Sequence, residues 1–352
     1  MRLALVRLSR RSPAVALIVL ATLVVSSRAY AQSPFRGTSL WVDEATSTQA
    51  LAGQAGEARA GTLIVKAAEG TTPEPQFTAA LVEQLHGQGL TVCAWVFVYG
   101  LDPQGEAQAA LAAVKAGASC LVVDAEGQYD KRYGAAQAYV KALRSRLGGA
   151  FPIALAGQAE VLEHPTFPYS VFLGPGGFAV DMPQDYWREL GLSVPGSLRA
   201  TLGVNALYGR AIDPVGQLFD GAAPSELQAF SSLAARYGCS GSSFFDADVA
   251  EPAQLSALVP ARGARMRVTV PTIRPGADGD EIVWAQELLN AAGARLPVGG
   301  FFGATTAAAL ASFQRRHRLP ADGLLTGASW RALLRYRARE PSWAVAPPDS
   351  AA

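Results

Sequence analysis

Asp124 and Glu126 stand two residues apart where an apolar run ends, in the stretch LVVDAEGQYD (121–130). In an extended chain, residues two apart project from the same face. The two carboxyls therefore share a side with Val122, while Leu121, Val123 and Ala125 share the other. Paired carboxyls are what glycoside cleavage requires: one stays protonated to donate to the leaving oxygen, and one stays ionised as nucleophile, base or positioning group. Close carboxyls push each other's pKa values apart, and the less solvated one rises. More acids fall where similar runs end: Asp43, Glu69, Asp181, Asp246 and Asp248. Trp41, Tyr99, Tyr186 and Trp187 lie near those ends, and a flat apolar ring suits a pyranose. Together with Asp181 they are the candidate substrate contacts, whereas Glu126, Asp124, Asp43 and Asp246 are the candidate catalytic groups. The competing reading makes these acids solvated strand ends or ion-pair members. For Glu69, pairing with Lys66 is the preferred role.

The elements that must position these residues are short β-rich runs alternating with alanine-rich helical stretches, the pattern of parallel βα units. Eight runs are read, at 38–43, 62–70, 91–100, 120–127, 151–157, 177–183, 200–209 and 240–248. They predict an α/β fold, a (β/α)8 barrel of TIM type over 37–262, whose active site belongs at the carboxyl ends of the strands. A doubly wound open sheet is the alternative, but no glycine-rich phosphate loop supports it. A linker (263–278) leads to three short helical patterns over 279–336, a small all-α domain. Thr306, Leu310 and Phe313 fall on one face of the middle pattern at helical spacing. Residues 337–352 read as a disordered tail.

The chain has 352 residues, 50% apolar and 17% charged, enough to bury a sizeable core. Arg2, Arg7, Arg10 and Arg11, the apolar run at 13–25 and the Ala29-x-Ala31 pattern form an export signal over 1–31. Its removal deletes five arginines and leaves 25 basic against 29 acidic residues, a balance of −4. No basic stripe or RNA-binding aromatic motif points to nucleic acid. The mature chain is read as a monomer that is secreted or periplasmic and has no membrane partner after signal cleavage. His86, His164 and His317 carry no ligand spacing, so neither a metal nor a cofactor is expected. Cys93 and Cys120 could meet at the base of neighbouring strands and pair, but buried thiols are the default for all three cysteines, Cys239 included.

Two resemblances add to this reading. The C-terminal segment resembles the three-helix peptidoglycan-binding domain of bacterial wall enzymes, through Val283, Gln286, Leu289, GGFFGATT (299–306), FQRRHRLPADGLLTGASW (313–330) and Leu333. It departs at Gly299, where aspartate is usual, and at Ala285, where leucine is. Phe313, Trp330 and Leu310 are expected in its core. The barrel resembles the glycoside hydrolase family 25 lysozymes, through WVDEAT (41–46), VKAAEG (65–70), VVDAE (122–126) and FFDAD (244–248). That likeness implies Glu126 as the acid and Asp124 as an orienting or stabilising group, with Asp43 and Asp246 in support. Strand 3 lacks the usual Tyr-His-Phe. The expected function is an exported, peptidoglycan-active glycosidase of muramidase type, anchored to the cell wall by the module. The alternative is a barrel that lost catalysis and serves as a glycan-binding or scaffold protein.

Overall fold

A computed structural model describes residues 33–159 and 161–344, so the export signal expected at 1–31 and the chain beyond 344 lie outside the described residues. Eight parallel strands form the barrel: β1 (Gly37–Val42), β2 (Thr62–Glu69), β3 (Thr91–Val98) and β4 (Cys120–Ala125), then β5 (Ile153–Gln158), β6 (Val180–Gln184), β7 (Val215–Gln217) and β8 (Gly241–Phe245). Closure is direct, because Leu40 of β1 pairs with Leu63 of β2 on one side and with Phe244 of β8 on the other. The β6–β7 seam is the thinnest: Gln184 pairs with Val215, while Val180 and Asp181 pair with a separate two-residue strand at Ala211–Ile212.

Strand alternation sorts the buried residues into two cores. Trp41, Ile64, Cys93, Trp95, Cys120, Val122, Met182 and Val215 fill the lumen. Leu40, Leu63, Val65, Leu121, Val123 and Leu155 face the surrounding helices. The helices between strands start where capping chemistry allows. In α3 (Pro103–Lys115) Asp102 caps the Gly105 amide and Pro103 occupies the first turn. The remaining barrel helices are α1 (Thr48–Ala58), α2 (Ala79–Gly87), α4 (Tyr133–Leu147), α5 (Tyr169–Phe172), α6 (Val194–Asn205), α7 (Pro224–Tyr237) and α8 (Pro252–Ser256).

One strand was misplaced by the sequence pattern. The run at 200–209 is not the seventh strand but the end of α6 and a short 3-10 turn, Ala206–Tyr208. Pro195 sits in the first turn of α6, and Leu198, Thr201, Leu202 and Asn205 form its buried side. The seventh strand is only the three residues Val215–Gln217.

The default of free thiols is also corrected. Cys93 and Cys120 are directly paired in the β3–β4 register, with Cα atoms 4.5 Å apart, and form a disulfide inside the lumen. Cys239 is the free cysteine among the described residues, and burial pushes its thiol up to about 12.

The C-terminal helices are α9 (Asp280–Ala291), α10 (Ala304–Arg316) and α11 (Gly327–Leu333). Leu310, Phe313 and Trp330 are buried in their core. Two glutamines explain the sequence motif. Gln286 accepts from the Gly299 and Gly300 amides and donates to the Phe301 carbonyl. Gln314 donates to the Leu324 carbonyl and accepts from the Gly323 amide. Each buried side-chain amide pins a loop that lacks a ladder of its own.

These helices pack on the barrel. The Asp280 carboxylate accepts from the Ser170 amide, the Ser170 hydroxyl and the Tyr208 hydroxyl, each at 2.7 Å. The Trp284 indole donates to the Leu207 carbonyl at 2.9 Å. Part of the segment read as a disordered tail makes defined contacts: Gln137 of α4 donates to Glu340 and Pro341, and Trp343 packs against Tyr133 with the rings tilted by 38°.

Candidate active site

β4 carries Asp124 inward, and the next inward position, just past the strand end, is Glu126. Asp124 is buried, 6% exposed, whereas Glu126 is half-buried at the mouth. The Trp95 indole donates to Asp124 Oδ2 at 3.1 Å. The Gln184 side-chain amide donates both to Asp124 Oδ1 at 2.8 Å and to Glu126 Oε1 at 3.1 Å. Burial, reinforced by the neighbouring Glu126 charge, drives the Asp124 carboxyl well above the usual carboxylate range, and the two hydrogen bonds only partly offset this. Because both carboxyls reach one nitrogen from one strand, they sit side by side and cannot flank a sugar ring from opposite faces.

On the far side of β3 from this pair is a second charged group. Lys66 of β2 bridges Asp43 Oδ1 at 3.0 Å and Glu69 Oε2 at 3.2 Å, and its ammonium lies 5.2 Å from the centre of the Trp95 ring. Burial pulls the Lys66 pKa down, but bonding to Asp43 and Glu69 outweighs it and leaves a net rise. The Tyr99 hydroxyl donates to Glu69 at 2.6 Å, which with Lys66 holds Glu69 below its usual value. Gly70, at φ +56°, provides the room: a Cβ there would meet the Tyr99 ring at 3.2 Å. Asp246, just past β8, caps the Asp248 amide at 2.8 Å. Burial, with Asp248 and Asp43 nearby, pushes Asp246 up to about 6. Asp248 in turn accepts from the Asp43 and Glu44 amides, tying the ends of β8 and β1 together.

The structure thus brings Glu126, Asp124, Asp43 and Asp246 to the carboxyl-end mouth, with Tyr99 and Tyr186. Glu69 pairs with Lys66, as expected. Three candidate substrate contacts are corrected. Asp181 is on the outer face of β6, 1% exposed and bonded to Asn205 of α6, because Val180 and Met182 take the lumen positions. Burial pushes its carboxyl to about 7. Trp187 is 1% exposed and packs on Phe230 of α7, since chain direction after β6 turns it away from the mouth. Trp41 does face the lumen, but at 2% exposure it is barrel core, edge-on to Trp95 and Phe245.

Sequence reasoning missed Gln184, Gln158 and His164. With Glu126 and Tyr186 they line a cavity of about 470 Å³ at the mouth. The signal for Gln184 was its inward phase with Val180 and Met182, which a strand ending at 183 hides. Tyr186 stacks on Phe245 with centroids 6.2 Å apart, forming an aromatic wall. Among the described residues no cluster of three or more His, Cys, Asp or Glu could hold a metal ion, and no helix is long and apolar enough to cross a membrane.

A closed eight-stranded parallel barrel of TIM type with carboxylates at its mouth, followed by a helical module, is the class this fold defines. Residues 278–333 match the family described as "Putative peptidoglycan binding domain". The barrel is similar in fold to the spore cortex-lytic enzyme SleL of Bacillus cereus, with TM-score 0.50 and 12% identity over 63% of this chain and 73% of that one. Active domain 2 of a thermostable chitinase from Pyrococcus furiosus aligns with TM-score 0.47 and 11% identity over 65% of this chain and 91% of that one. No curated protein sequence matches the chain significantly.

Proposed function

We propose that this chain is an exported glycoside hydrolase of muramidase type that acts on peptidoglycan and is held on the wall by its C-terminal module. The observation that carries this reading is the Asp124–Glu126 pair sharing the Gln184 amide at the barrel mouth, in a chain whose last helices match a peptidoglycan-binding family. Glu126 borders the open cavity and is the carboxyl placed to deliver a proton to the leaving oxygen; that proton is held by the pair, whose deeper member burial keeps toward its neutral form. Asp124, one pleat deeper and pushed toward its neutral form, orients the substrate through an acetamido group. Asp43 and Asp246 support the charge that develops on the ring from the opposite side of the mouth. Tyr99 and Tyr186 supply ring faces for sugars. The lumenal disulfide is in keeping with an oxidising compartment, which supports a secreted or periplasmic location.

One observation favours a second reading, a glycan-binding barrel without catalysis: the third strand and the residues just past it read AWVFVYG (94–100), without the Tyr-His-Phe usual in the lysozymes the barrel resembles. Zymography on purified wall, wild type beside Glu126→Gln, separates the two. Clearing by wild type, reduced on the order of 10²- to 10⁴-fold in the variant, supports the enzyme. Absence of clearing by wild type from acid to neutral pH overturns it. Equal clearing by both proteins removes Glu126 from the role of acid.

A further inference from the structure

The cavity at the barrel mouth is linked to two others through neighbouring or shared lining residues. His164 is part of its wall. The next residue, Pro165, lines a second cavity of about 240 Å³ between barrel and module. That seam is walled by Lys131 and Tyr133 from the barrel and by Val283 and Gly299 from the module, with Trp343 beside them. Gly299 also lines a third cavity, about 200 Å³, which lies on the module beside Gln286 and the 60%-exposed Phe301. His164 of the first cavity and Pro165 of the second are consecutive residues, about 3.8 Å apart between Cα atoms. Gly299 lines both the second cavity and the third.

The alignment is held by bonding. The Asp280 amide, in the first turn of α9, donates to the Pro165 carbonyl at 2.7 Å. The same loop is also held by the Lys131 amide, which donates to the Thr166 carbonyl at 2.8 Å. With the buried Asp280 carboxylate on Ser170 and Tyr208, the module has a fixed register against the barrel mouth.

We propose that the seam cavity is a subsite for the peptidoglycan strand seated at Glu126, so that the three cavities form one continuous track. The inference rests on the function proposed above. The chemistry of the seam suits a peptide substituent of the glycan. Tyr133 and Trp343, with centroids 4.5 Å apart, join Pro165 and Val283 in an apolar wall. Lys131 and Asp278 place one charge of each sign at its edge. An occupant carrying both a carboxylate and an amine on a short apolar stem satisfies both charges, whereas a bare neutral sugar satisfies neither. The module then sets the position of the strand being cut, rather than serving as a loose tether that only raises local concentration.

The test is binding by the full chain carrying Glu126→Gln, titrated calorimetrically with soluble peptidoglycan fragments of increasing length. Affinity is expected to tighten at least about tenfold, or 1.4 kcal/mol, once a fragment extends past the mouth. Adding Gly299→Trp should abolish that gain. A Cβ at Gly299 meets nothing within 4 Å and its φ lies outside the left-handed range, so a large side chain fills the cavities without forcing the backbone. Gly299→Ala, which fills little, should keep the gain and serves as the folding control. Affinity independent of length, or a length gain that survives Gly299→Trp, overturns the track. If that happens while wild type clears wall in the zymogram, the glycosidase reading stands and the track alone falls. A length gain lost in Gly299→Trp, beside wild type that never clears wall, leaves the track standing and removes the glycosidase.

Discussion

Glu287 offers a quantitative test of how the module is seated on the barrel. It lies on α9 in the same stripe as Asp280 and Trp284, at i+7 and i+3, the stripe that meets Ser170, Tyr208 and Leu207. Its side chain is fully buried, and neither carboxyl oxygen has a hydrogen-bond partner among the described residues. Burial, then the nearby Asp280 and Glu340, push it from 4.5 to about 9. The sign follows from proton linkage. Between those two values the folded chain holds a proton that the unfolded chain releases, so stability is fullest below about 4.5, falls as pH rises, and levels off above about 9. At pH 7.5 the group has crossed three pH units at about 1.36 kcal/mol each, a cost of about 4 kcal/mol. Glutamine has nearly the same shape and no proton to lose. Glu287→Gln should therefore match wild type within about 1 kcal/mol at pH 4.5 and exceed it by about 4 kcal/mol at pH 7.5. Urea denaturation followed by circular dichroism at both pH values measures the gap. A gap of equal size at pH 4.5 and 7.5 would refute the reasoning, because it would mean that Glu287 is not held neutral by burial in the folded chain.

Two further predictions follow from the barrel. Replacing Cys93 and Cys120 together by alanine opens a loop of 27 residues, which the chain-entropy relation values at about 3.5 kcal/mol. Denaturation midpoints that do not move would show that the lumenal bridge adds nothing. Because Asp246 is raised to about 6, it is protonated below that pH, and wall clearing should decline as pH falls through it. Asp246→Asn should flatten that acid limb while lowering clearing on the order of tenfold, about 1.4 kcal/mol of barrier; an acid limb of unchanged shape would remove Asp246 from the site.

Much of the site was readable because alternation is a local property. In LVVDAE the apolar residues on one side and the carboxyls on the other fix which face meets the helices, and the barrel obeys. The module was readable for a related reason. Gln286 and Gln314 act on loops within their own segment, so their spacing records the fold. Asp181 was misjudged because nothing local sets the phase of a five-residue strand whose two faces are both buried, and Trp187 because the chain turns after that strand ends. The run at 200–209 misled because an apolar segment between glycines suits a buried strand as well as a helix. The three-residue strand that takes its place is too short to show any period.

The pattern of residues along the chain was enough to specify a barrel of βα units, a carboxylate pair on one face of its fourth strand, and a small module of three helices. Each depends on contacts among residues close in sequence, where hydrophobic period and hydrogen-bonding type leave a trace. Only the folded molecule decided that Gln184 joins Asp124 to Glu126 across some 60 residues, that Lys66 faces them with Asp43 and Glu69, and that Asp280 locks the module against Ser170, 110 residues away. Those contacts arise from strand closure and surface burial. Their partners are chosen by geometry rather than by spacing.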